Sequence, residues 1–242
     1  MTVPTTPTFD SERALAAAGY DVIVGFDEVG RGSLAGPGMV GCAAFRAASL
    51  DAAAAAVPAH LNDSKLLTEH RREAMFDDLE RWCDTYAIGA ATNQEIDDWG
   101  ISHALGIAAL RALEQAERRM FSQMGIPSEA IEAGRGLPRV GAILDGPYDY
   151  ITKALGTFES PDVPVTPHMT TQVKGDRACY SVACAAVLAK VTRDRLMEDL
   201  AKRPEYAPYQ WESNKGYGSK AHREAIAKIG PSDLHRLTWK LT

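Results

Sequence analysis

Two short apolar segments that end in carboxylates constrain the fold of this chain more than any other feature. Residues 22–26 precede Asp27 and Glu28, and residues 140–144 precede Asp145. Short aliphatic runs rich in β-branched residues are typical of buried strands. Helical patterns alternate with the strand patterns along the chain, which predicts an α/β fold. Because functional groups in such folds collect at strand ends, these three acids are the first candidates for a site.

The rest of the pattern predicts a tail and a single domain. Residues 1–20 are rich in Thr and Pro and predict a flexible tail, with a short helix near residues 13–18. Residues 21–242 carry the strand and helix patterns without an internal repeat or a linker. Further strands are predicted at 38–45, 85–92 and within 163–173; helices at 68–83, 101–120 and 176–203; an inserted surface loop at 122–139; and a basic, glycine-rich loop followed by a helix at 214–230.

Composition and charge exclude several classes of protein. Hydrophobic residues make up 45% of the 242 residues and charged residues 24%, which excludes a disordered chain and a disulfide scaffold. The net charge of −6 excludes a wholly basic nucleic-acid coat but leaves a local basic groove open. No apolar run approaches the ~18 residues of a membrane span, and the first residues do not resemble a signal peptide. We therefore expect a cytoplasmic protein with no membrane contact.

A fourth acid, Asp194, lies on a predicted helix one turn after Lys190. Four carboxylates on otherwise apolar elements repel one another unless a cation neutralises them. Oxygen-only ligand sets suit Mg²⁺ or Mn²⁺, and two such ions can support phosphodiester hydrolysis. The chain has 32 acids, however, and an acid after a strand is often only a helix cap or a solvated turn. From the residues alone, both interpretations stay open.

The loop GRGSLAGP follows the first pair of acids. Its glycines at positions 30, 32 and 36 free the backbone for positive φ and for close approach to a ligand. The spacing matches neither G-x-G-x-x-G nor the P-loop, so binding of a nucleotide cofactor is disfavoured. A tight turn between two strands remains one interpretation, and contact of Arg31 with a phosphate or a sugar remains the other.

The segment GFDEVGRGSLAGPGMVG strongly resembles the opening motif of ribonuclease HII. The later blocks NDSKLLTEHRRE, ILDG, KGDRACYSVACAAVLAKVTRDRLM, NKGYGSKAH and GPSDLHRLTW resemble the same family and follow in its order. Together they cover most of residues 21–240, and the combination of D-E-x-G-R-G, D-G and A-K-V-x-R-D is highly specific. The resemblance implies a ribonuclease H-like domain over 21–242, with a mixed sheet flanked by helices and a small helical C-terminal part.

The resemblance also implies an activity. The expected enzyme hydrolyses the RNA strand of RNA–DNA hybrids and cuts on the 5′ side of single ribonucleotides embedded in duplex DNA. It leaves a 3′-OH and a 5′-phosphate and uses Mg²⁺ or Mn²⁺, with two ions during catalysis. The expected partners are these nucleic acids, and the protein is expected to be a monomer.

Residue by residue, the resemblance places the four metal ligands on Asp27, Glu28, Asp145 and Asp194. It places contacts with the ribonucleotide 2′-OH and nearby phosphates on the G-R-G element, which fits the fact that only the 2′-OH distinguishes RNA from DNA at a given residue. The implied substrate contacts are Gly30, Arg31, Gly32, Ser64, Lys65, Lys190, Lys215, Tyr217 and Lys220.

A tyrosine near the start of the family's long helix stacks on the sugar at the RNA–DNA junction, and Tyr180 is the candidate here. A tyrosine of the hydrophobic core is the alternative, because the local sequence departs from the family pattern. Lys190 is expected either to neutralise the carboxylates or to hold a phosphate, and a lysine extending from an amphipathic helix is the alternative. The loop around Lys215 has the alternative of a plain solvated loop, and His235 and Arg236 are predicted to be structural.

Three rival interpretations remain. Ribonuclease HIII shares the fold but usually carries a sizeable N-terminal domain, for which the roughly 20 residues before the first strand leave no room. Another nuclease or recombinase with this carboxylate fold is disfavoured by the G-R-G element beside Asp27. A catalytically silent nucleic-acid-binding module is disfavoured because all four acids are present.

Overall fold

The computed structural model describes residues 6–62 and 67–242. A central sheet lies between layers of helices in this part of the chain. Its strands are β1 (Val22–Val29), β2 (Gly38–Arg46), β3 (Thr85–Ala91), β4 (Val140–Asp145) and β5 (His168–Gln172). The α-helices are α1 (Asp10–Ala17), α2 (Leu50–Ala55), α3 (Glu69–Trp82), α4 (Asn93–Trp99), α5 (Ile101–Gln123), α6 (Ser128–Glu132), α7 (Ile151–Ala154), α8 (Gly175–Ala178), α9 (Tyr180–Ala201), α10 (Trp211–Asn214) and α11 (Lys220–Ile229).

The strand order is β3-β2-β1-β4-β5, and the sheet is mixed. β2 runs antiparallel to β1 and β3, whereas β4 runs parallel to β1 and β5. Phe26 of β1 lies opposite Leu144 of β4, so Asp27 and Asp145 follow at the same end of neighbouring parallel strands. The predicted α/β class with a mixed, helix-flanked sheet is confirmed.

Each face of the sheet is covered by one long helix. Val22, Val24 and Phe26 of β1 pack in the cluster that contains the buried side of α5. Ile23, one residue out of phase, packs in the cluster that contains α9 and α3. α9 comes very close to the sheet at Gly25 and Gly41, where an added Cβ would overlap the helix backbone. Alternation along the strand therefore decides which helix each residue meets.

The structure corrects the predicted tail over residues 1–20 in its described part. Phe9 is fully buried and Leu15 nearly so. Glu12 of α1 is also buried, and its carboxylate accepts hydrogen bonds from the backbone N–H and the hydroxyl of Ser181. α1 therefore satisfies the first turn of α9. The predicted short helix exists, but it begins earlier and is packed against the domain.

The predicted single helix over 176–203 is also wrong in one respect, because it is broken at Cys179. This residue has extended backbone angles and forms a parallel bridge with Thr8. The peptide groups on either side of Cys179 bond to Thr8, which replaces helical hydrogen bonding at this point. α8 and α9 are therefore two helices, and the buried N-terminal segment explains the break.

Several other predictions are confirmed within a few residues. Thr68 caps α3 by accepting a hydrogen bond from the N–H of Arg71. The segment 122–139 is less irregular than predicted, because α5 extends to Gln123 and α6 buries Ile131 against the core. No helix in the described part of the chain is long and apolar enough to cross a membrane.

The helical C-terminal part has its own core, built around two facing histidines. Trp211 is fully buried there, and its Nε1–H donates to Nε2 of His222 at 3.1 Å. The N–H of Ser232 donates to Nδ1 of His235, so the other ring nitrogen of His235 carries the proton and faces Nε2 of His222 at 3.0 Å. The remaining His222 nitrogen, Nδ1, lies 2.9 Å from the carbonyl of Tyr217. Both imidazoles are neutral in this arrangement, and burial lowers the pKa of His222 and lowers that of His235 to about 4.

We expect the contribution of His235 to the stability of the protein to fall as the pH drops from about 6.5 to about 4. The unfolded chain binds a proton at His235 near pH 6.5, whereas the folded protein resists it until about pH 4. The loss is on the order of 3 kcal/mol at the acid end of this window. Urea unfolding of the wild type and of His235→Gln at several pH values measures it.

The wild type has to be compared with His235→Gln because Glu117 changes the stability with pH in the direction opposite to His235. Burial raises the pKa of Glu117 to about 8, so its contribution to stability decreases as the pH rises from about 4.5 to about 8. His235→Gln keeps this contribution and removes only that of the imidazole. Parallel stability curves for the two proteins would contradict the prediction.

Candidate active site

The predicted acidic ligands lie where β1 and β4 end. Asp27 and Asp145 occupy equivalent positions on neighbouring parallel strands, and alternation turns both toward the α9 face. Asp194 lies on α9 itself and is 3% exposed. Glu28 comes one residue after Asp27 and therefore points toward the opposite face. The fold thus brings three of the acids to one side of the strand ends and the fourth to the other side.

Glu28 is held by two side chains. Its Oε1 accepts from Arg31 at 3.3 Å, and its Oε2 accepts from the hydroxyl of Tyr150 at 3.0 Å. Tyr150 is buried, and burial together with the neighbouring Glu28 charge raises its pKa well above the ordinary value. The phenol therefore stays protonated and remains a donor to Glu28. Sequence reasoning missed Tyr150, which follows Asp145 by only five positions.

The other acids also have partners within the protein. Asp194 accepts from the ammonium of Lys190 at 2.7 Å and lies 3.9 Å from Arg72. Asp145 accepts from the backbone N–H of Gly175 at 2.6 Å. Lys190 therefore neutralises a predicted ligand, which is one of the two roles weighed for it.

A cavity of about 400 Å³ opens beside the first pair of acids. Its wall combines carboxylates, glycine backbone, one aromatic ring and two cationic side chains. It is lined by Asp27, Glu28, Val29, Gly30, Arg31, Gly32, Ala186, Lys190 and Tyr217.

Two buried arginines support the loop that forms one wall of this cavity. Arg193 of α9 donates to the carbonyls of Pro37, Ala35 and Lys215 and to the Ser33 hydroxyl, at 2.8–3.1 Å. Gly30 has φ +77°, and a Cβ there would overlap the Arg193 guanidinium.

Arg236 binds the same loop through the Gly30, Arg31 and Gly36 carbonyls. Sequence reasoning treated Arg236 as structural and did not consider Arg193. The only signal for them is that both lie inside blocks that carry the family resemblance.

The donor chemistry fits a divalent ion such as Mg²⁺ or Mn²⁺, because all four predicted ligands carry carboxylate oxygens. Asp27 and Glu28 line the cavity themselves, and Asp194 is bonded to Lys190, which also lines it. As the side chains stand, no three or more His, Cys, Asp or Glu residues within 6–62 and 67–242 form a group that could hold an ion. Glu28 and Asp194 are already hydrogen-bonded to other side chains of the protein. Glu28 accepts from Arg31 and Tyr150, and Asp194 accepts from Lys190.

The residues of the basic loop have different environments. The hydroxyl of Tyr217 accepts from the N–H of Gly30 at 3.2 Å, and its ring faces the ammonium of Lys190 at 5.9 Å. Lys215 is 8% exposed, and its ammonium pairs with Glu198 at 2.6 Å and with Glu69 at 3.4 Å. The structure therefore does not bring the Lys215 charge to the cavity. Lys220 is exposed on α11.

The structure does not bring Tyr180 to this cavity. Its ring packs 5.2 Å from that of Phe9 and 6.0 Å from that of Trp82, measured between centroids. Tyr180 is partly buried against this cluster, which is close to the core alternative considered for it, and it also lines a separate cavity beside Leu61. Tyr217 is the tyrosine beside the acids. Ser64 and Lys65 lie outside the described residues.

Comparison with known proteins identifies relatives over almost the whole chain. The sequence profile of the family described as Ribonuclease HII matches residues 24–128 and 148–242. Asp145 falls between these two stretches, so its position rests on the end of β4. Ribonuclease HII of Streptomyces griseus is 40% identical over 235 residues, which are 96% of this chain and 84% of the relative. The corresponding protein of Streptomyces avermitilis is 38% identical over 234 residues, covering 96% and 83%.

Solved structures share the fold. Ribonuclease H2 from Pyrococcus horikoshii aligns with a TM-score of 0.63 at 23% identity, covering 91% of this chain and 94% of that one. Bst-RNase HIII in complex with Mn²⁺ aligns with a TM-score of 0.67 at 20% identity, covering 95% and 71%.

We expect Gly30→Ala and Gly32→Ala to differ sharply in their effect on stability. At Gly30 the added methyl meets the buried Arg193 guanidinium at a positive φ, and a loss of about 2–4 kcal/mol follows. At Gly32 nothing lies within 4 Å of the added methyl, and the change should stay within about 1 kcal/mol. Urea unfolding of both variants tests this, and equal losses would contradict the packing described here.

Proposed function

Because the chain belongs to the ribonuclease HII family, we propose that it cleaves the RNA strand of RNA–DNA hybrids and also cuts on the 5′ side of single ribonucleotides in duplex DNA. The protein is a nuclease of the ribonuclease H class, and so a hydrolase. The observation that carries the finer proposal is the cavity in which Asp27 and Glu28 face the Gly30–Gly32 backbone. The acids proposed for the chemistry then lie next to the backbone proposed to recognise the ribose.

The proposed reaction is hydrolysis of one phosphodiester bond. Water adds its hydroxyl to phosphorus, and the bond between phosphorus and the 3′ oxygen of the preceding nucleotide breaks. The proton ends on that oxygen, so the products are a 3′-OH and a 5′-phosphate on the ribonucleotide. No side-chain nucleophile is required.

We propose that Asp27, Glu28, Asp145 and Asp194 hold two divalent ions, Mg²⁺ or Mn²⁺. When bound, such ions activate the attacking water and stabilise the departing 3′ oxygen. In their absence Lys190 and Arg31 neutralise two of the acids. Lys190 and Arg31 are then available to contact phosphate oxygens when ions take over the carboxylates.

The Gly30–Gly32 segment is the proposed reader of the ribose. Gly32 has open space where a side chain would stand, so a sugar can approach its backbone. Backbone N–H groups distinguish a 2′-OH, which accepts a hydrogen bond, from the hydrogen of deoxyribose. Lys220, exposed on α11, is proposed to contact the phosphate backbone.

We propose Tyr217, and not Tyr180, as the aromatic contact of the substrate. Tyr217 lines the cavity and is 36% exposed, whereas Tyr180 is packed among Phe9 and Trp82. A ring beside the acids can stack on a sugar or a base at the cleavage point. Single-domain organisation over 21–242, a monomeric state and a cytoplasmic location stay predictions.

The decisive assay uses a DNA duplex that contains one ribonucleotide. We expect cleavage on its 5′ side with Mg²⁺ or Mn²⁺, none in EDTA, and a loss of at least ~10³-fold in kcat for Asp27→Asn. Gel analysis of end-labelled strands locates the cut and identifies both new ends.

The same assay separates the rival activities. If the single-ribonucleotide duplex stays intact while a long RNA–DNA hybrid is cut, the result favours the rival interpretation of a ribonuclease HIII-like specificity. If neither substrate is cut under any metal although both are bound, the enzyme proposal fails and a binding module remains.

The two tyrosines offer a matched pair of variants. We expect Tyr217→Ala to lower kcat/KM on the single-ribonucleotide duplex by about 10–100-fold, because a stacking surface is lost. Tyr180→Phe keeps the ring in its aromatic cluster and should remain within about twofold of wild type. Steady-state kinetics on the two variants decide between the positions, and the reverse ranking would restore Tyr180.

A further inference from the structure

Arg236 is fully buried beneath the segment proposed to read the ribose, and it follows Gly30 by 206 positions. Its Nη2 donates to the Gly30 carbonyl at 2.7 Å and to the Gly36 carbonyl at 3.2 Å. Its Nη1 donates to the Arg31 carbonyl at 2.8 Å. The guanidinium also lies 4.8 Å above the ring of Trp239. One side chain therefore holds two consecutive peptide groups of the loop from inside the protein.

The planarity of the peptide bond gives these contacts a second effect. In a trans peptide, the N–H of one residue points opposite to the carbonyl of the residue before it. Because the Gly30 carbonyl is bound from the interior, the N–H of Arg31 points away from Arg236. Because the Arg31 carbonyl is bound in the same way, the N–H of Gly32 also points away from Arg236. Two adjacent donors are thus turned away from the buried guanidinium, on the loop that lines the cavity.

The two buried arginines behind the loop, Arg236 and Arg193, are not paired with acids in the described part of the chain. Neither Arg236 nor Arg193 has a carboxylate within 4 Å among the described residues, and their hydrogen bonds go to carbonyls and one hydroxyl. Two buried cations behind the loop favour an electron-rich oxygen in front of it. Within residues 6–62 and 67–242, Nε of Arg236 has no hydrogen-bond partner, so the side chain's hydrogen bonds come from its two terminal nitrogens.

We propose that Arg236 is a positioning residue for ribose discrimination, holding the Arg31 and Gly32 N–H groups in the direction that a 2′-oxygen requires. This inference rests on the proposed function and adds to it a residue that does not itself reach the substrate. Lysine cannot replace arginine here, because one ammonium lacks the planar fork that spans both carbonyls.

The test compares affinity for a duplex with one ribonucleotide against affinity for the same duplex made of DNA alone. Fluorescence anisotropy in EDTA measures both for wild type, Arg236→Lys and Arg236→Met. We expect the ratio of the two affinities to fall about tenfold in both variants, because the oriented hydrogen bonds to the ribonucleotide are lost. Arg236→Met, which also removes the charge, should in addition weaken binding to both duplexes.

Arg111→Lys is the matched control. Arg111 also donates to a backbone carbonyl, that of Ala90, and pairs with Glu95 at 2.7 Å, but it lies on α5 and does not line the cavity. Its variant should be destabilised without a change in the preference. If Arg236→Lys folds and keeps the wild-type preference, the proposal is overturned. An equal loss of affinity for both duplexes in Arg236→Lys would also overturn it.

Trp239→Leu keeps the proposal testable if the Arg236 variants do not fold. This variant removes the ring beneath the guanidinium and leaves Arg236 in place. We expect a smaller loss of the same preference, and an unchanged preference would contradict the proposal. Wild-type cleavage of the single-ribonucleotide duplex tests the proposed function separately, so failure of the positioning role can be told apart from failure of the activity.

Discussion

The hydrogen bonds from two buried guanidinium groups to the carbonyls of residues 30–37 connect the parts of the molecule that meet at the candidate site. Arg193 comes from α9, and Arg236 comes from the segment after α11. The loop itself joins β1, which ends in two of the acids, to β2. Arginine suits this position because its planar group donates in several directions at once and stays charged when buried. The sheet, the long helix and the C-terminal part thus share one small contact region.

The predicted ligands lie near the loop between β1 and β2 because α9 packs very closely on the sheet. Glycine at positions 25 and 41 lets the helix backbone approach β1 and β2, and Glu12 satisfies the first turn of the same helix. Asp194 and Arg193 are neighbours on α9, so the turn that carries a predicted ligand also supports the loop proposed to read the ribose. In the proposed function, chemistry and recognition are therefore coupled by adjacent residues of one helix. A change that shifts α9 along the sheet must alter both.

The sequence predicted well those features that depend on neighbouring residues. The positions of Asp27 and Asp145 near the same end of β1 and β4 follow from short apolar runs, and the capped start of α3 follows from Thr68. The failures concern contacts between distant positions. Local composition cannot reveal that Glu12 meets Ser181, 169 positions away, and so residues 6–20 resembled a tail. The motif points to Tyr180, whereas Tyr217 reaches the cavity through a loop that returns to Gly30. Arg236 is predicted only as structural, because its contact with Gly30 also joins distant positions and leaves no local signal.

The separation of 206 positions between Gly30 and Arg236 has a consequence for protein synthesis. A ribosome makes the acids of β1 and the loop early, but the guanidinium that binds the carbonyls of this loop is made much later. A nascent chain, or a product truncated before Arg236, holds the acids without the oriented donors proposed to select a ribose. If Arg236 has this role, selectivity is acquired only once Arg236 has been synthesised, and chains that stop before it lack it.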